Sequence, residues 1–254
     1  MKNSMKSLFA AAGVATCVFA FGTESTTNQK IYQIGGLANT YWKTAGVYYT
    51  KFNGKTISAI ANTTITGQFA SDKNPQYTKE ETADGTKIVM KRRILNRKTK
   101  TPVADETVTV LLAPAKITVT TSAEMLENVD FNRYSSTLFA TSISYLNTSK
   151  MTGYGMEAIL PDGKNNKTAM IPEKFKKDSF RLYAGVYSMV RFAGEKDSIV
   201  YTAGTNAVIW VSAAYNNTLE IYSGLDPKNP DRRPVVLKKG QTYEWSSSVQ
   251  FVNN

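Results

Sequence analysis

The feature that most constrains the fold is an apolar alternation of period two, broken at short intervals by turn-forming residues. It is clearest in residues 107–112 and 116–120, which are separated by a turn at Ala113-Pro114. Alternation of this period places apolar side chains on one face of a strand and polar side chains on the other. The two runs are therefore predicted to pair as a β-hairpin.

Turns that contain glycine recur along the rest of the chain. Asn53-Gly54 and Asp84-Gly85 lie between β-type segments, and Pro161-Asp162-Gly163 follows another. Such pairs supply the positive φ that tight hairpin turns demand. The chain is therefore predicted to contain a dozen or more short strands joined mainly by hairpins.

Helix has little room in this pattern. Residues 122–129 could form two turns and residues 172–177 one turn, whereas residues 180–192 read as a long strand. Closely spaced strands with scarce helix are typical of antiparallel architectures. The predicted fold class is all-β, an antiparallel β-sandwich or jelly roll with two packed β domains as an option.

The domain organisation follows from the one place where the strand pattern is interrupted. The segment 122–131 is the best single boundary, and it gives an N-terminal β domain over 23–121 and a C-terminal β domain over 130–254. A single domain of this length could also bury a substantial core, so that alternative stays open.

Residues 1–22 have the organisation of a secretory signal peptide. A short basic start precedes a small-apolar stretch over 7–21, and small residues stand before Thr23. Lipidation at Cys17 is an alternative, although the residues that follow it are still apolar. A retained anchor is another, but about 15 apolar residues fall short of the roughly 20 that span a bilayer.

The composition agrees with export. The chain has one cysteine, no histidine and a formal net charge of +11. Because the cysteine lies inside the proposed signal, the exported part would fold without disulfides, unlike many small secreted domains. We expect a bacterial protein of the periplasm, outer surface or medium.

The same composition excludes several chemistries. The predicted mature chain has no thiol nucleophile, no imidazole base and no Cys/His zinc site. Carboxylates that could serve a glycosidase are available, but the sequence shows no pair at the required separation; they are Asp105, Glu106, Glu124, Glu127, Asp130 and Glu157. We therefore predict no catalytic residue, no cofactor, no metal and no enzyme activity.

The densest positive charge is predicted to bind a polyanion. It comprises Lys91, Arg92, Arg93, Arg97, Lys98 and Lys100. Guanidinium and ammonium groups pair well with phosphate and sulfate. In a strand, Lys91 and Arg93 face one way and Arg92 the other, so the charges do not form a one-sided stripe. The alternative interpretation is an edge strand that its charge protects from aggregation.

Aromatic residues next to amides give a second candidate site. Trp210 and Trp245 lie in alternating apolar strands and are predicted to be core residues. Tyr215 with Asn216 and Asn217, in a predicted hairpin loop, is predicted to contact a glycan, because flat rings stack on sugar faces.

These features favour a noncatalytic exported β-sandwich that acts in surface binding or assembly, as an adhesin, appendage subunit or envelope-associated binding module. The expected partners are an anionic glycan, lipopolysaccharide or another surface polymer, and self-assembly through edge strands. No specific nucleic acid signal is present. The alternatives are an outer-membrane β-barrel, suggested by the alternation in 182–192, and a virion jelly-roll subunit.

Overall fold

The structure is a computed structural model, and every regular element in its described part is a β-strand. The described residues are 28–34, 38–39, 42–43, 46–52, 55–60, 62–64, 69–71, 76–96, 98–131, 140–147, 151–163, 166–171, 183–214, 218–226 and 235–254. Within them, no helix is long and apolar enough to cross a membrane.

The strands are numbered in chain order. The first half contains β1 (Asn28–Ile34), β2 (Ala38–Asn39), β3 (Trp42–Lys43), β4 (Gly46–Phe52), β5 (Lys55–Ile60), β6 (Asn62–Thr64), β7 (Phe69–Ser71), β8 (Gln76–Thr82), β9 (Gly85–Asn96), β10 (Pro102–Ala113), β11 (Lys116–Met125) and β12 (Val129–Phe131). The second half contains β13 (Ala140–Asn147), β14 (Gly155–Ile159), β15 (Asn166–Met170), β16 (Gly185–Tyr187), β17 (Met189–Ala193), β18 (Asp197–Ala203), β19 (Ala207–Ala214), β20 (Thr218–Leu225), β21 (Val235–Leu237) and β22 (Thr242–Asn253).

Two large antiparallel sheets form the sandwich. The ten-stranded sheet has the order β15-β14-β17-β18-β22-β11-β10-β9-β7, with β8 also on β9. The eight-stranded sheet has the order β1-β4-β5-β13-β20-β19-β16, with β6 also on β13. Pairs β2-β3 and β12-β21 form two small sheets. The prediction of an antiparallel all-β sandwich is confirmed.

The main core lies between the two large sheets, where one face of each strand buries its apolar side chains. Val108 and Val119 enter it from the ten-stranded sheet, and Ile209 and Ile221 from the eight-stranded sheet. Phe192 also lies in this core. The burial alternates along β10 and β11, as the sequence period requires.

Three pairs of hydroxyl groups cross this core and join the sheets. The Oγ atoms of Ser223 and Ser247 lie 2.6 Å apart, and Thr121 and Thr141 are joined at 3.0 Å. Tyr201 donates its hydroxyl to Ser144 at 2.9 Å, and burial raises the pKa of Tyr201. Each pair satisfies hydroxyls that would otherwise be costly to bury.

The predicted hairpins are confirmed where the structure describes them. β10 pairs with β11 around Ala113-Pro114, and β8 pairs with β9 around Asp84-Gly85. The hairpin β14-β15 turns at residues 161–163.

Two local predictions are wrong. Residues 122–125, expected to be helical, continue β11 because that strand pairs with β10 on one side and β22 on the other. The single strand expected over 180–192 is divided at Ser188, since β16 belongs to the eight-stranded sheet and β17 to the ten-stranded sheet. The one-turn helix predicted at 172–177 lies outside the described residues.

The proposed boundary at 122–131 falls within the sandwich. Both large sheets take strands from before and after it. The division into domains 23–121 and 130–254 stays a prediction.

Candidate functional site

The candidate site lies on the face of the eight-stranded sheet that points away from the main core. Along β20, Leu219 and Ile221 enter the core. Glu220 and Tyr222 alternate with them and therefore point to the opposite face. Even so, the residues are only 9% and 4% exposed. A carboxylic acid this deeply buried outside the core is unusual, because burial disfavours its charge.

The adjacent strand β19 adds two side chains to the same face. Trp210 is the register partner of Tyr222, and Ser212 is the partner of Glu220. Both residues are half-buried. Direct partners on antiparallel strands have Cβ atoms roughly 5 Å apart, so these four side chains form one contiguous group. We call Trp210, Ser212, Glu220 and Tyr222 the Glu220 patch.

The Glu220 carboxyl group is held in place by its neighbour. The Tyr222 hydroxyl donates a hydrogen bond to Oε2 of Glu220. Burial raises the pKa of Glu220, and the hydrogen bond from Tyr222 opposes this shift in part. A carboxyl group with a raised pKa keeps its proton closer to neutral pH and can act as both acid and base.

The Glu220 patch can therefore supply proton transfer next to an aromatic surface. The chain has no histidine, so carboxyl and phenol groups are natural candidates for such a role. Trp210 offers a ring on which a sugar could stack. Within the described residues, no group of three or more His, Cys, Asp or Glu residues could hold a metal ion.

The predicted polyanion cluster is divided by the sheet. Lys91 and Arg93 are exposed, and Arg93 donates two hydrogen bonds to Asp105, at 2.7 and 2.9 Å. Lys98 and Lys100 are exposed in the connection to β10, with Lys100 at φ 63°. Arg97 lies outside the described residues.

Arg92 does not join the exposed lysines and arginine of this cluster. Its side chain is buried, and its Nε donates to Oε2 of Glu106 at 2.5 Å. Lys91, Arg92 and Arg93 nevertheless line one cleft of about 360 Å³ together with Asp105 and Glu106. The role of the cluster as a polyanion site stays a prediction.

The glycan-contact prediction falls on residues outside the part of the chain that the structure describes. Tyr215, Asn216 and Asn217 connect β19 to β20 and lie outside the described residues. Trp245 is fully buried, so its prediction as a core residue is confirmed. The same prediction is wrong for Trp210, which is half-buried on the outer face of the sheet.

The carboxylates singled out from the sequence do not form the candidate site. Glu106 pairs with Arg92, and Glu157 lies 3.5 Å from Arg191. Glu124 and Asp130 are exposed, and Glu127 is half-buried. Glu220 was missed because a single acid between apolar residues in a strand is usually solvated. The sequence feature that could have pointed to Glu220 is Tyr222, an aromatic residue two positions later in the same strand.

Comparison with known proteins shows which fold this is. No family model and no curated protein sequence matches the chain. Galactose 1-epimerase from Lactobacillus acidophilus NCFM aligns over 91% of this chain and 99% of its own, with a TM-score of 0.52 and 6% identity. The chain has the fold of galactose 1-epimerase.

Two further structures align with the sandwich. The α-N-acetylgalactosaminidase NagBb from Bifidobacterium bifidum, solved as a GalNAc complex, aligns over 93% of this chain with a TM-score of 0.50 and 10% identity. This chain spans 36% of that enzyme. The Slr1438 protein from Synechocystis sp. PCC 6803 aligns over 71% of this chain and 66% of its own at 10% identity and a TM-score of 0.45.

The galactose 1-epimerase fold overturns the functional prediction. We expected a noncatalytic adhesin, appendage subunit or envelope-associated binding module, and no enzyme activity. The sandwich is instead shared with an enzyme that is named for its action on a sugar. The sequence pattern offered six carboxylates but could not place any two of them at a catalytic separation, and Glu220 was not among the six.

Proposed function

We propose that the chain is a carbohydrate-active protein that interconverts the anomers of an aldose at the Glu220 patch. One observation carries the proposal: a buried carboxyl group accepts a hydrogen bond from Tyr222, whose register partner is Trp210, on an outer sheet face of this fold. The patch combines a proton-exchanging group with an aromatic surface, and both suit a sugar ring.

Glu220 can serve as both acid and base in the reaction. Its protonated oxygen donates to the ring oxygen of the sugar while its other oxygen accepts the proton of the anomeric hydroxyl. The bond between the anomeric carbon and the ring oxygen breaks, and an aldehyde forms. Rotation about the adjacent carbon–carbon bond and the reverse transfers then close the ring as the other anomer, and the carboxyl group is protonated as at the start.

Trp210 is assigned the role of positioning the sugar. Its half-buried ring is expected to stack on the apolar face of a pyranose. Trp210→Ala should weaken galactose binding at least tenfold in ligand-observed NMR, whereas Trp210→Phe should retain most of it because a flat ring remains. Equal binding by Trp210→Ala and the wild type would contradict this assignment.

We also propose that the protein is exported and that residues 1–22 are removed. The basic start and the apolar stretch before Thr23 support this proposal. Intact mass measurement of the protein from its native host should give a mature chain that begins at residue 23. A full-length mass, or a lipid-modified Cys17, would contradict it.

The finer partner proposals concern two exposed features. Lys91, Lys98 and Lys100 could contact an anionic glycan or lipopolysaccharide, and binding would then weaken steeply with salt. Charge reversal at Lys98 and Lys100 together should reduce retention on a heparin column.

Self-assembly could use the edge strand β15, where Met170 is 65% exposed. Sedimentation at increasing protein concentration would reveal it.

A further inference from the structure

A polar cleft of about 600 Å³ lies at the end of the ten-stranded sheet where β17 turns into β18. Residues from two tight turns line it. The first turn is 151–154, which leads into β14, and the second is 194–197, which joins β17 to β18. Each turn is closed by a backbone hydrogen bond between its end residues, at 3.0 and 2.8 Å respectively. We call this space the turn cleft.

Asp197 brings a buried carboxyl group to the turn cleft. The residue is only 3% exposed, and Oδ1 of its carboxyl group accepts a hydrogen bond from the Tyr154 hydroxyl. Tyr154 in turn packs on Gly194, where a Cβ would lie 2.7 Å from the nearest ring carbon. The absence of a side chain at Gly194 therefore lets the Tyr154 ring lie close enough to hold the Asp197 carboxyl group in place.

Asn254 fixes the second turn of the cleft. Its side-chain amide donates to the carbonyl oxygens of Gly194 and Asp197, at 2.8 and 3.2 Å. Its backbone amide donates to the carbonyl oxygen of Lys196 at 3.0 Å. These bonds order one wall of the cleft before any ligand is bound, and a wall that is ordered in advance lowers the entropic cost of binding.

The lining of the turn cleft favours a ligand rich in hydroxyl groups. Besides Asp197 and Tyr154, the side chains that line it include Thr152, Glu195, Lys196 and Asn253. An apolar ligand would find few contacts among these polar groups, and a polyanion would be repelled by Asp197 and Glu195. The hydroxyls of a neutral sugar can donate to the carboxylate and amide oxygens and accept from the lysine.

We propose that the turn cleft binds a neutral saccharide whose hydroxyl groups donate hydrogen bonds to Asp197. A carboxylate has about four lone-pair sites, so Asp197 can accept from a sugar while it accepts from Tyr154. The volume of the cleft lies within the roughly 300–1,000 Å³ of small-molecule sites. None of its described lining residues belongs to the Glu220 patch, so the site does not depend on the function proposed there.

Saturation-transfer NMR of the full chain tests the site with lactose, maltose and cellobiose at millimolar concentration. The measurement is made on the Trp210→Ala variant, which lacks the ring assigned to sugar binding in the Glu220 patch. We expect at least one of the three disaccharides to bind this variant as tightly as it binds the wild type. If none of them binds Trp210→Ala, the proposal is overturned, whatever the outcome of the test for anomer interconversion.

Two glycine substitutions place the bound sugar. Gly153 lines the cleft, has φ 85° and has nothing within 4 Å of a Cβ, so asparagine there tolerates the backbone and takes up space at the edge of the cleft. Gly163, with φ 70° and equally open surroundings, lies in the turn between β14 and β15 and is the matched control. In the Trp210→Ala background, Gly153→Asn should weaken disaccharide binding at least tenfold, and Gly163→Asn should leave it unchanged.

A change at Asp197 tests the group that is assigned to recognition. Asp197→Asn keeps an oxygen that can accept from Tyr154, but it removes the charge that strengthens hydrogen bonds from sugar hydroxyls. Disaccharide binding to this variant, again in the Trp210→Ala background, should weaken about tenfold. Equal affinities of Gly153→Asn and Gly163→Asn would overturn the proposal, even if Asp197→Asn does not fold.

Discussion

At the scale of single residues, Glu220 is predicted to lower the stability of the fold at high pH while it serves the proposed function. Its pKa is raised in the folded state, so its contribution to stability is present at low pH and is lost as the pH rises through the folded pKa. Glu220→Gln cannot ionise and keeps an oxygen that can accept from Tyr222. The variant should therefore melt a few degrees above the wild type at pH 8 and close to it at pH 4.

Thermal unfolding between pH 4 and pH 8 measures this difference. Glu124→Gln is the matched control, because Glu124 is exposed and should leave the melting temperature unchanged. A Glu220→Gln variant that is less stable than the wild type at pH 8 would mean that the carboxylate supports the fold and is not strained by its site.

The buried Arg92–Glu106 ion pair predicts a large loss of stability when one of its two residues is replaced. Both side chains are almost fully buried, and removing Arg92 breaks this ion pair while the Glu106 side chain stays buried. Arg92→Met should lower the free energy of unfolding by about 3–5 kcal/mol, whereas Arg92→Met with Glu106→Met should recover much of this loss. Urea unfolding of the single and double variants checks the prediction; equal destabilisation in both would contradict it.

At the scale of elements, replacing a glycine by alanine tests how tightly a hairpin is packed. Gly85 has φ 134°, and a Cβ there would lie 2.1 Å from the carbonyl oxygen of Leu112. Gly153 has φ 85° with nothing within 4 Å, so it is a control for positive φ alone. Gly85→Ala should destabilise the protein by at least about 1 kcal/mol more than Gly153→Ala. Similar urea midpoints for the two variants would contradict the packing argument.

The alternation of apolar and polar residues predicted the elements that form between neighbouring parts of the chain. The β10-β11 hairpin is one, because both strands alternate and the turn between them is short. The helix predicted at 122–129 failed because good helix formers there continue a strand with partners on both sides. The division at Ser188 could not be predicted, since alternation does not say which sheet a strand joins.

The candidate site was harder to predict for the same reason. The alternation within β20 places Glu220 and Tyr222 on one face, but the position of Trp210 beside them depends on the register between β19 and β20. The burial of the Glu220 side chain also depends on tertiary packing. A glutamate between two apolar residues looks solvent-facing in sequence, and only the packed sheet shows that it is buried.

At the scale of the whole molecule, the sheet topology predicts one cooperative unfolding transition. Each large sheet combines strands from both sides of 122–131, and three hydroxyl pairs join the sheets. Far-ultraviolet circular dichroism and tryptophan fluorescence, which includes that of buried Trp245, should give coincident urea transitions. Two separated midpoints would instead support independent domains over 23–121 and 130–254.

The central claim is that the Glu220 patch interconverts sugar anomers. The most direct measurement is polarimetry of freshly dissolved α-galactose with the wild type, Glu220→Gln and Glu124→Gln. We predict that the wild type and Glu124→Gln accelerate the change in rotation above its spontaneous rate, and that Glu220→Gln does not. A folded wild-type protein that leaves the spontaneous rate unchanged, or an acceleration that survives in Glu220→Gln, would contradict the claim.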